Sequence, residues 1–72
     1  MRYFTKSIID GKWREVTRER WVEFVWAIGF NSIGKELRTQ EDEARKYARV
    51  LDEFGNTLDT IEEFERLKEV LL

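Results

Sequence analysis

The apolar positions Tyr3, Phe4, Ile8, Ile9, Trp13 and Val16 near the start of the chain divide between the two faces of an extended hairpin. Phe4, Ile8 and Trp13 fall on one face; Tyr3, Thr5, Ile9 and Val16 fall on the other. Between the two runs sits Asp10-Gly11. That dipeptide favours a two-residue type I′ turn, whose central positions both need positive φ. The pattern predicts strands over 2–9 and 12–16, pairing Ile9 with Lys12, Ile8 with Trp13, and Lys6 with Glu15. An isolated hairpin is marginal in water, so it must pack on something.

After Val16 the period changes to that of a helix. Thr17 is placed to cap with its hydroxyl, and Val16 and Trp21 have the spacing of a hydrophobic staple. Trp21, Phe24, Val25 and Ile28 form an apolar stripe, and Gly29 stands where a left-handed stop would end the helix, with Phe30 folding back on Val25. This gives a first helix over 18–28. A second apolar seam runs Ile33, Leu37, Gln40, Ala44, Tyr47, Leu51, Phe54 with alternating spacings of four and three. It predicts one long helix over 33–54, stopped at Gly55, with i,i+4 support from Glu41–Arg45 and Asp42–Lys46. A break at Thr39, where Thr39-Gln40-Glu41-Asp42 offers a fresh cap, is the competing division. Thr60 and Glu63 have capping-box spacing, and Ile61, Phe64, Leu67 and Leu71 give a last helix over 60–71. The expected fold is α+β: an N-terminal two-stranded antiparallel hairpin packed on three α-helices, in a single domain spanning residues 1–72.

Charge changes this picture more than composition does. Residues 1–38 carry eight basic and five acidic groups; residues 39–72 carry five basic and ten acidic, so a net charge of −2 conceals a basic first half and an acidic second half. All three tryptophans lie in the basic half. The densest apolar stretch, WVEFVWAIGF at residues 21–30, is too short to cross a bilayer, which takes ~20 apolar residues. With no secretory pattern near the start and no cysteine, the expected location is cytoplasmic, with no membrane partner.

The residue inventory narrows the chemistry. The chain has no histidine and no cysteine. Serine–histidine catalysis, thiol nucleophiles and the common zinc sites are therefore excluded, and the four glycines never approach a phosphate-cradling loop. DEFGNTLDTIEE at 52–63 has the length of a calcium loop. Phe54 and Thr57 occupy positions that need an oxygen ligand and a glycine, so calcium is not expected. No catalytic residues, cofactor or metal are expected, and the chain reads as a non-enzyme.

The run WREVTRERWVEFVWAIGF, residues 13–30, resembles small phage and prophage proteins that place a short hairpin before a "V-T-x-E-x-W…A-x-G-F" helix. Some small orphan phage proteins, anti-CRISPRs among them, bind and block host proteins. The resemblance implies a mobile-element origin and supplies no functional residues.

Three functional expectations follow. The first is a non-catalytic protein-interaction module, a phage-type inhibitor or modulator of a host complex. Val22 and Trp26, on the flank of the first helix, would anchor it, ringed by Arg14, Arg18 and Glu19. The second is a small nucleic-acid-binding regulator using the basic hairpin through Arg2, Lys6, Lys12, Trp13 and Arg14. The third is a structural homodimer joined through the Val22–Trp26 flank.

Overall fold

The computed structural model describes residues 1–30, 34 and 36–71. Strand β1 (Arg2–Lys6) pairs antiparallel with β2 (Trp13–Val16). Helix α1 (Arg18–Val25) follows and widens into a π-helical turn over Trp26–Phe30. Helix α2 (Leu37–Tyr47) leads directly into β3 (Ala48–Leu51). A short β4 (Thr57–Leu58) and helix α3 (Thr60–Leu71) complete the order. The fold is α+β, and the hairpin is part of a larger antiparallel sheet of order β2-β1-β3-β4.

The hairpin register differs from expectation. Lys6 lies opposite Trp13, Thr5 opposite Arg14, Phe4 opposite Glu15 and Tyr3 opposite Val16. The strands therefore end earlier, and residues 7–12 form a longer loop closed by Ser7 N–H to Lys12 O at 3.0 Å. Local side chains explain this. Ser7 Oγ accepts from the amides of Ile9 and Asp10, and an Asp10 carboxylate oxygen accepts from the amide of Lys12. A serine and an aspartate competing for backbone donors favour a wider turn than Asp-Gly alone would make. Gly11 does take positive φ, +69°. The slip is by two residues, an even number, so every side chain that remains in a strand keeps its face. The expected Lys6–Glu15 pair is lost; Glu15 instead meets Arg2 at 3.1 Å.

The face turned inward carries Tyr3 and Val16, not Phe4, Ile8 and Trp13. Tyr3, Trp21, Val22, Val25, Ala44, Ala48, Val50, Phe64 and Leu67 form the core, and Val16, Phe30, Leu58, Ile61 and Leu71 pack against it. In α1 the buried stripe is Trp21, Val22, Val25 and then Gly29, while Phe24 and Ile28 are only half-buried. The helix is thus rotated toward Val22, because it sits between the sheet and α3 and is covered from both sides. Thr17 caps it as expected, its hydroxyl accepting from the amide of Arg20 at 3.3 Å.

The long helix over 33–54 does not form. Ile33 lies outside the described residues. Thr39 is inside α2, so the break expected there is absent too. The helix stops at Tyr47, where Ala48 turns extended. Ala48 and Val50 are buried, with Arg49 between them exposed, a period-two pattern that the wider seam concealed. β3 is drawn into the sheet because β1 has a second edge to satisfy: Thr5 lies opposite Ala48 and Tyr3 opposite Val50. Asp52 then builds the β3–β4 turn, its carboxylate accepting from the amides of Phe54 and Asn56. Gly55 takes φ +83° there.

Two helix-end expectations also change. The Thr60–Glu63 capping box is absent. Thr60 Oγ1 donates to Ala48 O at 3.0 Å, and Glu63 points to Tyr3 and Arg66. Gly29 has no positive φ and serves packing instead. A methyl at Gly29 would stand 3.0 Å from Gln40 O and 3.2 Å from Ala44 Cβ on α2. Phe30 stacks on Phe64 of α3 at 4.9 Å.

Gly29→Ala decides between two signs. In an ordinary helix the change stabilises by about 0.5–1 kcal/mol. Against the Gln40 carbonyl it should overpack and destabilise by about 1–3 kcal/mol. Urea denaturation measures the difference, and a gain in stability would show that α2 does not press on Gly29.

Candidate functional site

The helices all pack on one face of the sheet, and the other face bears no element of the described chain. Alternation puts Arg2, Phe4 and Lys6 of β1, Trp13 and Glu15 of β2, and Arg49 and Leu51 of β3 on that outer face. Phe4, Trp13, Arg49 and Leu51 line a shallow depression of about 180 Å³ on it. The Arg49 guanidinium lies 4.5 Å from the Trp13 ring centroid, and Arg2 lies 5.1 Å from that of Phe4. Such cation–ring contacts contribute about 0.5–1 kcal/mol at exposed sites, so they orient the arginines without locking them.

Ion pairing sorts the cations of this face. Arg2 is bound to Glu15, and Arg14, turned toward the hairpin edge, is bound to Asp10 at 2.9 Å. The Arg2 hydrogen bond holds the Glu15 carboxyl below its ordinary range. Lys6, Lys12 and Arg49 make no ion pair with another described residue. The outer face therefore presents apolar rings with a surplus of positive charge.

The sequence-predicted sites fare unequally. Arg2, Lys6 and Trp13 do share one face, with Lys12 in the adjoining loop, while Arg14 is turned away. Val22 is completely buried, so it cannot anchor a partner or a homodimer. Trp26 is 43% exposed. Arg18 and Glu19 pair with each other at the start of α1, and a helical rise of ~12 Å separates Arg18 from Trp26. The five residues do not form one patch. Arg49 and Leu51 were missed because their segment reads as helix, and only the Ala48/Val50 alternation betrays the strand.

A second polar cluster lies behind the sheet. The Tyr3 hydroxyl donates to Glu63 Oε2 at 2.5 Å, and Arg66 meets both oxygens of Glu63 at 2.8 Å. Burial pushes the Tyr3 phenol up to about 12, helped by the carboxylate it donates to. Burial opposes ionisation of Glu63, but the hydrogen bonds from Arg66 and Tyr3 outweigh it and hold the carboxyl below its ordinary value. The cluster has the chemistry of a structural lock: every charge is partnered within it. Among the described residues no group of three or more His, Cys, Asp or Glu side chains could hold a metal ion, and no helix is long and apolar enough to cross a membrane.

Comparison adds no relative. No family model matches the chain, and no curated protein or solved structure is significantly similar to it.

The lock makes two opposite contributions to pH dependence. Glu63 has a lowered folded pKa, so its stabilisation is present above pH 4.5 and lost as pH falls through the folded value. Tyr3 has a raised one, so its share is present below pH 10 and lost as pH rises toward about 12. Urea midpoints measured across pH should show a flattened acid limb in Glu63→Gln and a flattened alkaline limb in Tyr3→Phe. Wild-type profiles in both variants would mean that the hydrogen bond contributes nothing.

Proposed function

We propose that the chain is a non-catalytic protein-interaction module whose docking surface is the outer face of the sheet. The observation that carries this reading is the depression formed by Phe4, Trp13, Arg49 and Leu51, apolar in its floor and cationic at its margin. Tryptophan, phenylalanine and arginine are the residue types enriched where protein interfaces concentrate their energy. Lys6, Lys12 and Arg49, which make no ion pair among the described residues, select a partner surface that offers an apolar side chain ringed by carboxylates. An inhibitor of a host complex, the role implied by the phage-like run at 13–30, would act by such a stoichiometric block. The anchor moves from Val22 and Trp26 to the sheet.

The same face gives a second reading as a platform for single-stranded nucleic acid. Its favouring observation is the interleaving of rings and guanidinium groups, which suits base stacking beside phosphate contacts. The net charge of −2 and the neutralisation of Arg2 by Glu15 weigh against it, since affinity for nucleic acid comes chiefly from phosphate neutralisation.

A photoreactive phenylalanine derivative at Trp13 should crosslink one acidic protein in the host cell. With that protein purified, Arg49→Glu should weaken binding tenfold or more, about 1.4 kcal/mol, while Trp26→Ala leaves it unchanged. The reverse pattern would return the interface to α1. Tight, steeply salt-dependent binding of a purified oligothymidylate, lost in Arg49→Glu, would select the nucleic-acid reading.

A further inference from the structure

We infer that an extended segment of a partner protein adds to the free edge of β2 as a further strand, one apolar side chain of that segment entering the groove between the sheet and α1. The edge follows from the ladder. Ser7 N–H donates to Lys12 O, and bonded pairs in an antiparallel ladder recur at every second residue. Thr5–Arg14 and Tyr3–Val16 are therefore bonded pairs, and their amides and carbonyls are spent between β1 and β2. Those of Trp13 and Glu15 point the opposite way, off the sheet, because β2 is its terminal strand. Two donors and two acceptors, in pairs ~7 Å apart, thus have no partner among the described residues. The backbone of another strand matches that repeat group for group. The opposite edge of the sheet offers less. β4 has two residues, and the same parity, read from Asp52 N–H to Asn56 O, spends the groups of Leu58 on Val50.

A side-chain site adjoins this edge. On the helix side of the sheet, Thr5, Val16, Arg20, Glu23 and Phe24 line a groove of about 450 Å³. Val16 and Phe24 give it apolar walls, and both are only half-buried. Arg20 and Glu23, one of each sign, balance at its rim, so backbone bonds and shape select the occupant and net charge does not. A dry apolar cavity of ~150 Å³ already admits benzene, so this groove has room for a leucine or phenylalanine side chain. In a strand laid along β2 alternate side chains turn to the helix side, and the one opposite Val16 reaches the groove. A second copy is a poor occupant. The two-fold registers that let Trp13 and Glu15 bond set Arg14 against Arg14, Glu15 against Glu15, or Lys12 against Arg14, like charges each time. Those charges are the usual protection of an edge against its own kind, and they leave it open to an uncharged strand. The groove lies across the sheet from the outer-face depression, so neither site requires the other.

The test selects random peptides displayed on phage against the purified full chain, then synthesises the strongest binder as the probe. Its amides are methylated one at a time. In an added strand every second amide faces β2, so binding should fall about tenfold at alternate positions and hold at those between. Glu15→Pro removes an outward donor without breaking the β1–β2 ladder, which an edge strand tolerates. It should weaken the probe about tenfold with the far-UV circular dichroism unchanged, while Glu15→Gln binds as wild type. Phe24→Ala should weaken it several-fold, and Arg49→Glu, on the outer face, should leave it unchanged. Should Glu15→Pro fail to fold, the methylation series on the wild-type chain decides. Selection that yields no binder, a methylation series without alternation, or binding lost in Arg49→Glu and retained in Phe24→Ala would each overturn the inference; the last would move the peptide to the outer face.

Discussion

A phenol held between an indole and a carboxylate joins the layers of this molecule. Tyr3 sits on the central strand between Val16 and Val50 and packs on Trp21 of α1 at 5.3 Å. It donates to Glu63 of α3, and Arg66 neutralises the carboxylate from the solvent side. Sheet, first helix and last helix thus meet at one side chain. A small core buries little surface and each of its groups carries a large share of the stability. A buried carboxylate would ordinarily be a liability there; with all its oxygens accepting, it fixes the angle at which α3 crosses the sheet.

Much of this was legible in the chain. Thr17 and Trp21 announced α1, Ile61, Phe64 and Leu67 announced the face of α3, and Gly11 announced a turn with positive φ. The hairpin faces survived a wrong register only because the slip was even. The middle of the chain was misread for a physical reason. Ala44, Tyr47 and Leu51 satisfy a helical seam, while Ala48, Arg49 and Val50 satisfy a strand. The decision between them belongs to β1, a partner more than forty residues away, and local periodicity carries no trace of it. Glu63 was misassigned for a related reason. Its spacing from Thr60 suits a cap, but a buried tyrosine hydroxyl and an arginine offered it a better place.

The candidate site was half visible. The basic, aromatic character of the hairpin stood out, and the structure does collect Arg2, Lys6 and Trp13 on one face. What the sequence hid was the other wall, Arg49 and Leu51, because it arrives on a strand read as helix. Conversely, the apolar excess of residues 21–30 is mostly spent inside the fold. The sheet, α3 and α2 already cover most of it: Val22 and Gly29 are buried, and Trp26 and Ala27 stay exposed. Apolar surplus in a sequence marks a surface only after the fold has taken its portion.

The distant pairing of β1 with β3 also sets an order of events. β1 and β2 can find each other across a short loop, and α1 follows on directly. Closing residues 3 and 50 costs only about 1 kcal/mol more in loop entropy than closing residues 3 and 16. Its consequence is temporal: as the chain emerges from a ribosome, β1 must wait with one edge bare until Ala48–Leu51 has been made. During that interval the nascent hairpin offers unpaired amides and carbonyls beside Tyr3, a template for any other extended segment. The brevity of β1 and the charges along it, Arg2 and Lys6, keep that interval safe.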